Sequence, residues 1–311
     1  MGCDNSFDPR GSFLDRLVIY CVLTPLNQMH FVRLSSTYNP PQFDPLSNTF
    51  SQQVFDAKIS IALDSIVYAL RDSVIVRDDN QRYTDNLAVF VAGPLTLQRG
   101  KTYSLNIISP QYGSLNATTT IARPAVLDLD FESMATITDP SEVQSLILVR
   151  TFIPPEVEGH EVHMYVEYTS SLDSTVHTEE VPAVITEYRD CIDFDAEYPQ
   201  MKSRTNGAEL WQFDYMNYRR TLIKTMRLYP GVEIKRIYFV VTQADRSLYR
   251  YFKTVKGFQD PISIRLDQPN YSSIEGALGV FGSFTKDTLS ISNFVKGFPG
   301  ISITLELARC P

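Results

Sequence analysis

The sequence is short of the residues that most enzymes and nucleic-acid binders lean on. It has one Trp, four His and four Cys in 311 residues. Four imidazoles leave few candidates for acid–base chemistry or metal ligation. Four Cys, at positions 3, 21, 191 and 310, are too sparse for a disulfide scaffold. Positive charge is also scarce: 28 Lys and Arg against 36 Asp and Glu give a net charge of −8 and a pI near 5.1. A phosphate backbone calls for a basic stripe, so nucleic acid is not an expected partner. No apolar run reaches the length of a membrane-spanning helix; the longest, such as Leu17–Leu23, are strand-sized. The phosphate-cradling pattern G-x-x-x-x-G-K-[ST] and the nucleophile elbow G-x-S-x-G are both missing.

What is present is β patterning. Val54, Asp56, Lys58 and Ser60 alternate with Phe55, Ala57, Ile59 and Ile61, the period of a half-buried strand. "DRLVIYCVLTP", "NLAVFVAG", "YSLNIISP" and "GSLNATTTIARP" read as further strands, the last two joined through Pro110 and Gly113 as a hairpin. Their number and spacing predict an immunoglobulin-like β-sandwich over residues 14–124. A second β-rich domain with one or two helices is expected over 125–311, with "EIKRIYFVVTQ" as a strand and "ISITLELARC" as the last one. "LWQFDYMNYRRTLIKTMRL" fits helix or strand. "ADRSLYRYFKTVKG" predicts a helix near 244–256, capped by Ala244 or Asp245, with Leu248, Tyr251, Phe252 and Val255 on its buried stripe. That arrangement turns Tyr249, Arg250 and Lys253 outward.

The opening "MGCDNSF" has two chemical readings. It fits the myristoylation pattern at Gly2, and Gly-Cys is also how a bacterial lipoprotein leader ends, with lipid on Cys3. A myristoyl chain alone binds membranes marginally and needs basic neighbours, which "MGCDNSFDPR" lacks. Residues 1–13 then read as a polar tether.

Several constellations can carry chemistry. Asp193, Asp195 and Glu197 share one side of an extended segment and could surround Ca²⁺; the alternative is a solvated acidic loop. His160 and His163 are three apart on a strand and face opposite ways, so they cannot hold one metal; polar, outward positions are expected for both, with Glu161 on the same side as His163. Cys21 reads as a small buried hydrophobe, and Cys191 and Cys310 are the two that could pair. With no catalytic signature, no enzyme activity and no cofactor are expected. The 17 Tyr and 18 Phe are the stronger clue, because Tyr and Arg anchor interfaces. Trp211, Phe213 and Tyr215 alternate and read as core. The loop from Asp267 to Gly282, with Tyr271 and Phe281, is placed beside the outward helix face. Tyr249, Arg250, Lys253, Tyr271 and Phe281 are therefore the candidate partner-binding residues; the alternative is that Ile274, Leu278 and Phe281 close the core.

Three pieces together carry a resemblance: a Cys near the start followed by "DRLVIYCVLTP", the hairpin "YSLNIISPQYGSLNATTTIARP", and "ADRSLYRYFKTVKG" followed by "NYSSIEGALGVFG". The set resembles, over nearly the whole chain, a family of outer-membrane lipoproteins of Bacteroidetes catalogued as a domain of unknown function. Members look like neighbours of TonB-dependent transporter genes. The resemblance implies a lipid anchor at Cys3, with a leader ahead of it that this sequence does not show. It also implies an outer-membrane or cell-surface location and an accessory or binding role beside a transporter, with a small ligand or peptide as a further partner. A structural or adhesive role at the same surface is the alternative, and a hydrolase with an unrecognised site the third.

Overall fold

Strands arise where the period-2 pattern supplies one apolar face, and the computed structural model follows that rule closely. It describes residues 13–38, 50, 52–76, 85–129, 146–188, 193–256 and 271–291. Cys3, Cys191, Cys310 and the expected last strand at 301–310 lie outside the described residues. In chain order the strands are β1 (Leu17–Leu23), β2 (His30–Ser36), β3 (Lys58–Leu63), β4 (Ile66–Ala69), β5 (Arg71–Ile75), β6 (Leu87–Ala92), β7 (Thr102–Ser109), β8 (Gly113–Thr120), β9 (Val126–Leu129), β10 (Leu146–Phe152), β11 (Val157–Ser170), β12 (Asp173–Val181), β13 (Val184–Tyr188), β14 (Phe194–Glu197), β15 (Lys202–Ser203), β16 (Ala208–Asp214), β17 (Glu233–Asp245) and β18 (Leu278–Ile291). Two helices, α1 (Tyr215–Leu228) and α2 (Arg246–Lys256), complete the described elements. The fold is mainly β and sandwich-like.

The chain divides into two units. Unit 1 holds residues 1–121 and 245–284, and unit 2 holds 122–244 and 285–311. The expected linear division at 124 therefore misses a return: α2 and the first half of β18 belong with the N-terminal sandwich.

In unit 1, a four-stranded sheet β4-β3-β7-β8 faces a sheet in which β18, β1, β2, β6 and β5 are successive neighbours. Inward residues of both meet in one core: Ile59, Ile61, Tyr103 and Leu105 from one sheet, Ile19, Cys21, Val32 and Phe90 from the other. Packing two apolar faces against each other is the sandwich solution to half-buried strands. The hairpin β7–β8 turns where Pro110 and Gly113 predicted it, and Gly113 takes a φ of 75°. The β1–β18 pairing is parallel, with Cys21 opposite Phe281 and Tyr20 opposite Val280.

Unit 2 repeats the layering. Its core joins Ile147, Val149 and Phe213 of the sheet β16-β10-β9 to Val162, Met164, Ile237 and Phe239 of β11 and β17. The stretch that fitted helix or strand is both. It is β16 up to Asp214, whose carboxylate then caps α1 by accepting the Met216 N–H at 2.7 Å. An Asp at that position satisfies an otherwise orphaned helix donor. Phe213 is buried, with Trp211 and Tyr215 packed against the core as expected. No helix among the described residues is long and apolar enough to cross a membrane.

Candidate binding surface

Asp245 organises the start of α2. Its Oδ1 accepts the N–H of Leu248 at 2.9 Å and of Ser283 at 3.2 Å, and its Oδ2 accepts the Thr119 hydroxyl at 2.7 Å. One buried carboxylate thus joins the helix to β18 and β8. Burial pushes its pKa up against the pull of these hydrogen bonds, which is the expected contest for a desolvated carboxylate. Gly282 permits the approach: a Cβ there would sit 2.8 Å from Leu248 Cβ. The helix lies against the face of β18 and β1 that looks away from the sandwich core. Leu248 and Val280 are both buried there, and the Tyr251 ring rests 6.0 Å from that of Tyr20.

This docking rearranges the expected helix stripe. Tyr249, expected outward, is buried at 4% exposure, while Phe252, expected inward, is 40% exposed. The turn of α2 that meets the sheet is centred on Asp245, Leu248 and Tyr249, spaced three and four apart. Phe281, the other expected contact residue, is fully buried, because its register with Cys21 directs it into the sandwich core. Ile274 and Ala277 are buried in the same core. Three glycines of the late loop have specific reasons. Gly276 and Gly279 take φ of 80° and 104°, where a side chain is strained, and Gly282 makes the close approach.

What remains outward is a compact group. Arg246, Arg250 and Lys253 are exposed. Positions i, i+4 and i+7 return to one line of a helix, so they form a single cationic stripe. Tyr271 hydrogen-bonds Ser247 and feels the charges of both Arg246 and Arg250, although burial raises its pKa overall. Phe252, its ring 6.1 Å from that of Tyr251, and Tyr20, 43% exposed, lie off this line, since Tyr251 and Phe252 are at least about 100° around the helix from each of the three cations. Arg246 was legible in the sequence from its spacing. Tyr20 was not, since only the parallel β1–β18 register brings it under α2.

The other candidates sit elsewhere. Asp193 precedes β14, and Asp195 and Glu197 point to its exposed side. Among the described residues no three His, Cys, Asp or Glu side chains group closely enough to hold a metal. The two histidines part company across β11. His163 lies on the outer face between Glu161, 3.5 Å away, and Glu180, 2.5 Å away. His160, expected outward, is instead fully buried, with Nε2 3.3 Å from Glu209 Oε2 and its ring edge-on to Trp211 at 5.5 Å. Glu209 is held in turn by Lys202 at 3.1 Å and the Thr205 N–H at 2.7 Å. Cys21 is buried and unbridged.

A second surface lies at the β5 edge of unit 1. Every residue of β5 is exposed, including Val74 and Ile75. A groove of about 520 Å³ is lined there by Val74, Phe50, Phe55, Gln53, Asp85 and Ala88.

A family model described as "Domain of unknown function (DUF4249)" matches residues 5–290. The chain belongs to this family. No curated protein is significantly similar to it in sequence. Among solved structures, a DUF4785 family protein from Legionella pneumophila subsp. pneumophila is similar at 11% identity and a TM-score of 0.24. That match covers 73% of this chain and 52% of the other, so this chain spans about half of its length. A likeness this loose carries no argument.

Proposed function

We propose that this protein is a cell-surface lipoprotein of the outer membrane in Bacteroidetes, anchored through Cys3. In this reading it acts without catalysis as a binding or accessory subunit for a TonB-dependent transporter. The observation that carries the reading is the α2 surface: Arg246, Arg250 and Lys253 are exposed on one line of the helix, and Tyr271 lies beside Arg246 and Arg250. Aromatic and Arg side chains combine large contact area with a polar tip, which is why they anchor interfaces. Of the five residues expected to meet the partner, Arg250, Lys253 and Tyr271 keep that role here. Tyr249 and Phe281 support it from beneath. The transporter and the anchor rest on the resemblance described above and on the Gly2-Cys3 pair ahead of a short polar stretch.

The test has two parts in cells carrying the full-length gene. A photo-crosslinking residue at Lys253 should capture the transporter, identified by mass, while the same residue at exposed Asn116 on β8 should not. Cys3→Ser should move the protein from the membrane to the soluble fraction. Capture from both positions alike, or a Cys3→Ser protein that stays on membranes, defeats the corresponding half.

The structural or adhesive reading keeps one observation in its favour, the exposed β5 edge with Val74 and Ile75. An unpaired strand edge offers backbone groups to another extended chain.

A further inference from the structure

Asn-Gly occurs once in the chain, at Asn206-Gly207. The pair lies in the connection between β15 and β16, and both residues are exposed. Asn is a thermolabile residue: the next main-chain nitrogen can attack its carboxamide carbon. Three features favour that closure here. Gly207 takes a φ of 109°, and nothing lies within 4 Å of where its Cβ would be. A residue so unhindered turns its nitrogen toward Asn206 Cγ at little cost. Among the described residues no backbone carbonyl holds the Gly207 N–H. Finally, Arg204 Nη1 donates to Asn206 Oδ1 at 3.4 Å. That oxygen gains negative charge as the carbon is attacked, and a positioned cation lowers the barrier to such a step. Arg204 is itself tied to β11, its backbone N–H on Glu158 O at 2.8 Å and its Nε on Val157 O at 3.1 Å. Other asparagines are held differently. Asn116 lies in the β7–β8 ladder opposite Asn106. Asn217 is buried in α1, with Nδ2 on Ala183 O at 3.0 Å.

We propose that Asn206 is a site of spontaneous covalent modification, deamidation through a cyclic imide. The Gly207 nitrogen bonds to Asn206 Cγ and gives up its proton; the Cγ–Nδ2 bond breaks and Nδ2 leaves as ammonia. Water then opens the ring. Attack at Cγ restores the main chain and leaves an ordinary aspartate. Attack at the main-chain carbonyl carbon leaves the chain running through Cβ and Cγ, an isoaspartate with one extra backbone atom. Nothing is oxidised or reduced, and water is the only co-reactant. Both products set a carboxylate beside Arg204. The isoaspartate also lengthens the connection from Thr205, whose N–H holds Glu209 at 2.7 Å, to Glu209 itself, whose Oε2 lies 3.3 Å from Nε2 of the buried His160. It therefore weakens the anchoring of Glu209, and ordinary aspartate does not.

The experiment ages the full chain at pH 8 and 37 °C, maps peptides by mass, and counts isoaspartate with an isoaspartyl methyltransferase. In the folded chain Asn206 should convert at a rate close to its rate in urea, while Asn116 and Asn217 convert only in urea. Gly207→Ala should slow conversion at least about tenfold, because a Cβ hinders the nitrogen and resists this φ. Arg204→Gln should slow it about threefold, a modest loss because the site is open to water. Asn206→Gln should yield no methyltransferase signal from this connection. Asn206→Asp adds the charge alone and should melt with wild type, and the isoaspartyl fraction should melt below both. An amide that stays intact at Asn206 in the folded chain overturns the proposal. So does conversion of Asn116 and Asn217 at the same rate in the folded chain. Equal or faster conversion of Arg204→Gln removes the part given to the guanidinium, and an isoaspartyl fraction that melts with wild type removes the link to Glu209.

Discussion

His160 and His163 show how far two identical side chains can diverge over three residues. Alternation puts one on each face of β11. Burial lowers the His160 pKa to about 4, with Lys202 and Arg204 adding to the effect and Glu209 opposing it. Burial also works to lower His163, but the hydrogen bonds and charges of Glu161 and Glu180 outweigh it and hold the ring at about 9. The signs for stability follow. His163 stabilises the fold fully below pH 6.5, and that contribution is lost as pH rises through 9. His160 does the reverse: as pH falls from 6.5 to 4 the unfolded chain takes up a proton that the fold refuses, and stability drops. An imidazole titration by NMR should find one ring near 9 and one near 4. His163→Ala should cost on the order of 2 kcal/mol at pH 6 and almost nothing above pH 9.5. His160 and His163 titrating together near 6.5 would contradict the geometry.

At the scale of elements, the parallel pair β1–β18 depends on Gly279. Its φ of 104° excludes a side chain, and a Cβ would also collide with the carbonyl of Ile19. Gly113 has a comparable φ of 75° in the β7–β8 turn, but nothing lies within 4 Å of where its Cβ would be. The two positions separate strain from collision. Gly113→Ala should lower stability by about 1 kcal/mol, the cost of the left-handed backbone alone. Gly279→Ala should cost several times as much, because the β1 backbone must move and Phe281 and Cys21 with it. Urea denaturation compares them directly, and equal shifts of the two midpoints would remove the role assigned to the β1–β18 approach.

For the molecule as a whole, the consequence is that neither unit is a continuous stretch of chain. The core of unit 1 takes Ile274, Ala277 and Phe281 from beyond unit 2. A fragment of residues 14–124 therefore lacks the parallel neighbour of β1 and part of its core. It should show no cooperative thermal transition and should bind hydrophobic dyes. The hydrogen bond from Thr119 to Asp245 brings the two chain ends at 121 and 245 close. Residues 14–121 joined to 245–284 by a short Gly/Ser linker should thus melt cooperatively. A cooperative transition in the 14–124 fragment alone would refute this account of the unit.

Local pattern was enough for most of the described strands, the β7–β8 hairpin, α2 and the burial of Cys21 and Phe213, because alternation and turn residues act on neighbours in sequence; the alternation that starts at Val54 becomes strand only from Lys58. It also held the spacing of Arg246, Arg250 and Lys253. Which face of α2 meets the sheet was not contained in it. Tyr249 and Phe252 are both aromatic and both plausible in a core, and the choice falls to Gly282, which brings the helix close at Leu248, and to Asp245, which fixes the helix start. The burial of Phe281 follows from its register with Cys21, a pairing across some 260 residues of chain. The same long-range register placed Tyr20 beside Tyr251. Contacts of that kind are settled by which packed arrangement buries the most apolar surface with its polar groups paired, and no window of sequence contains both partners.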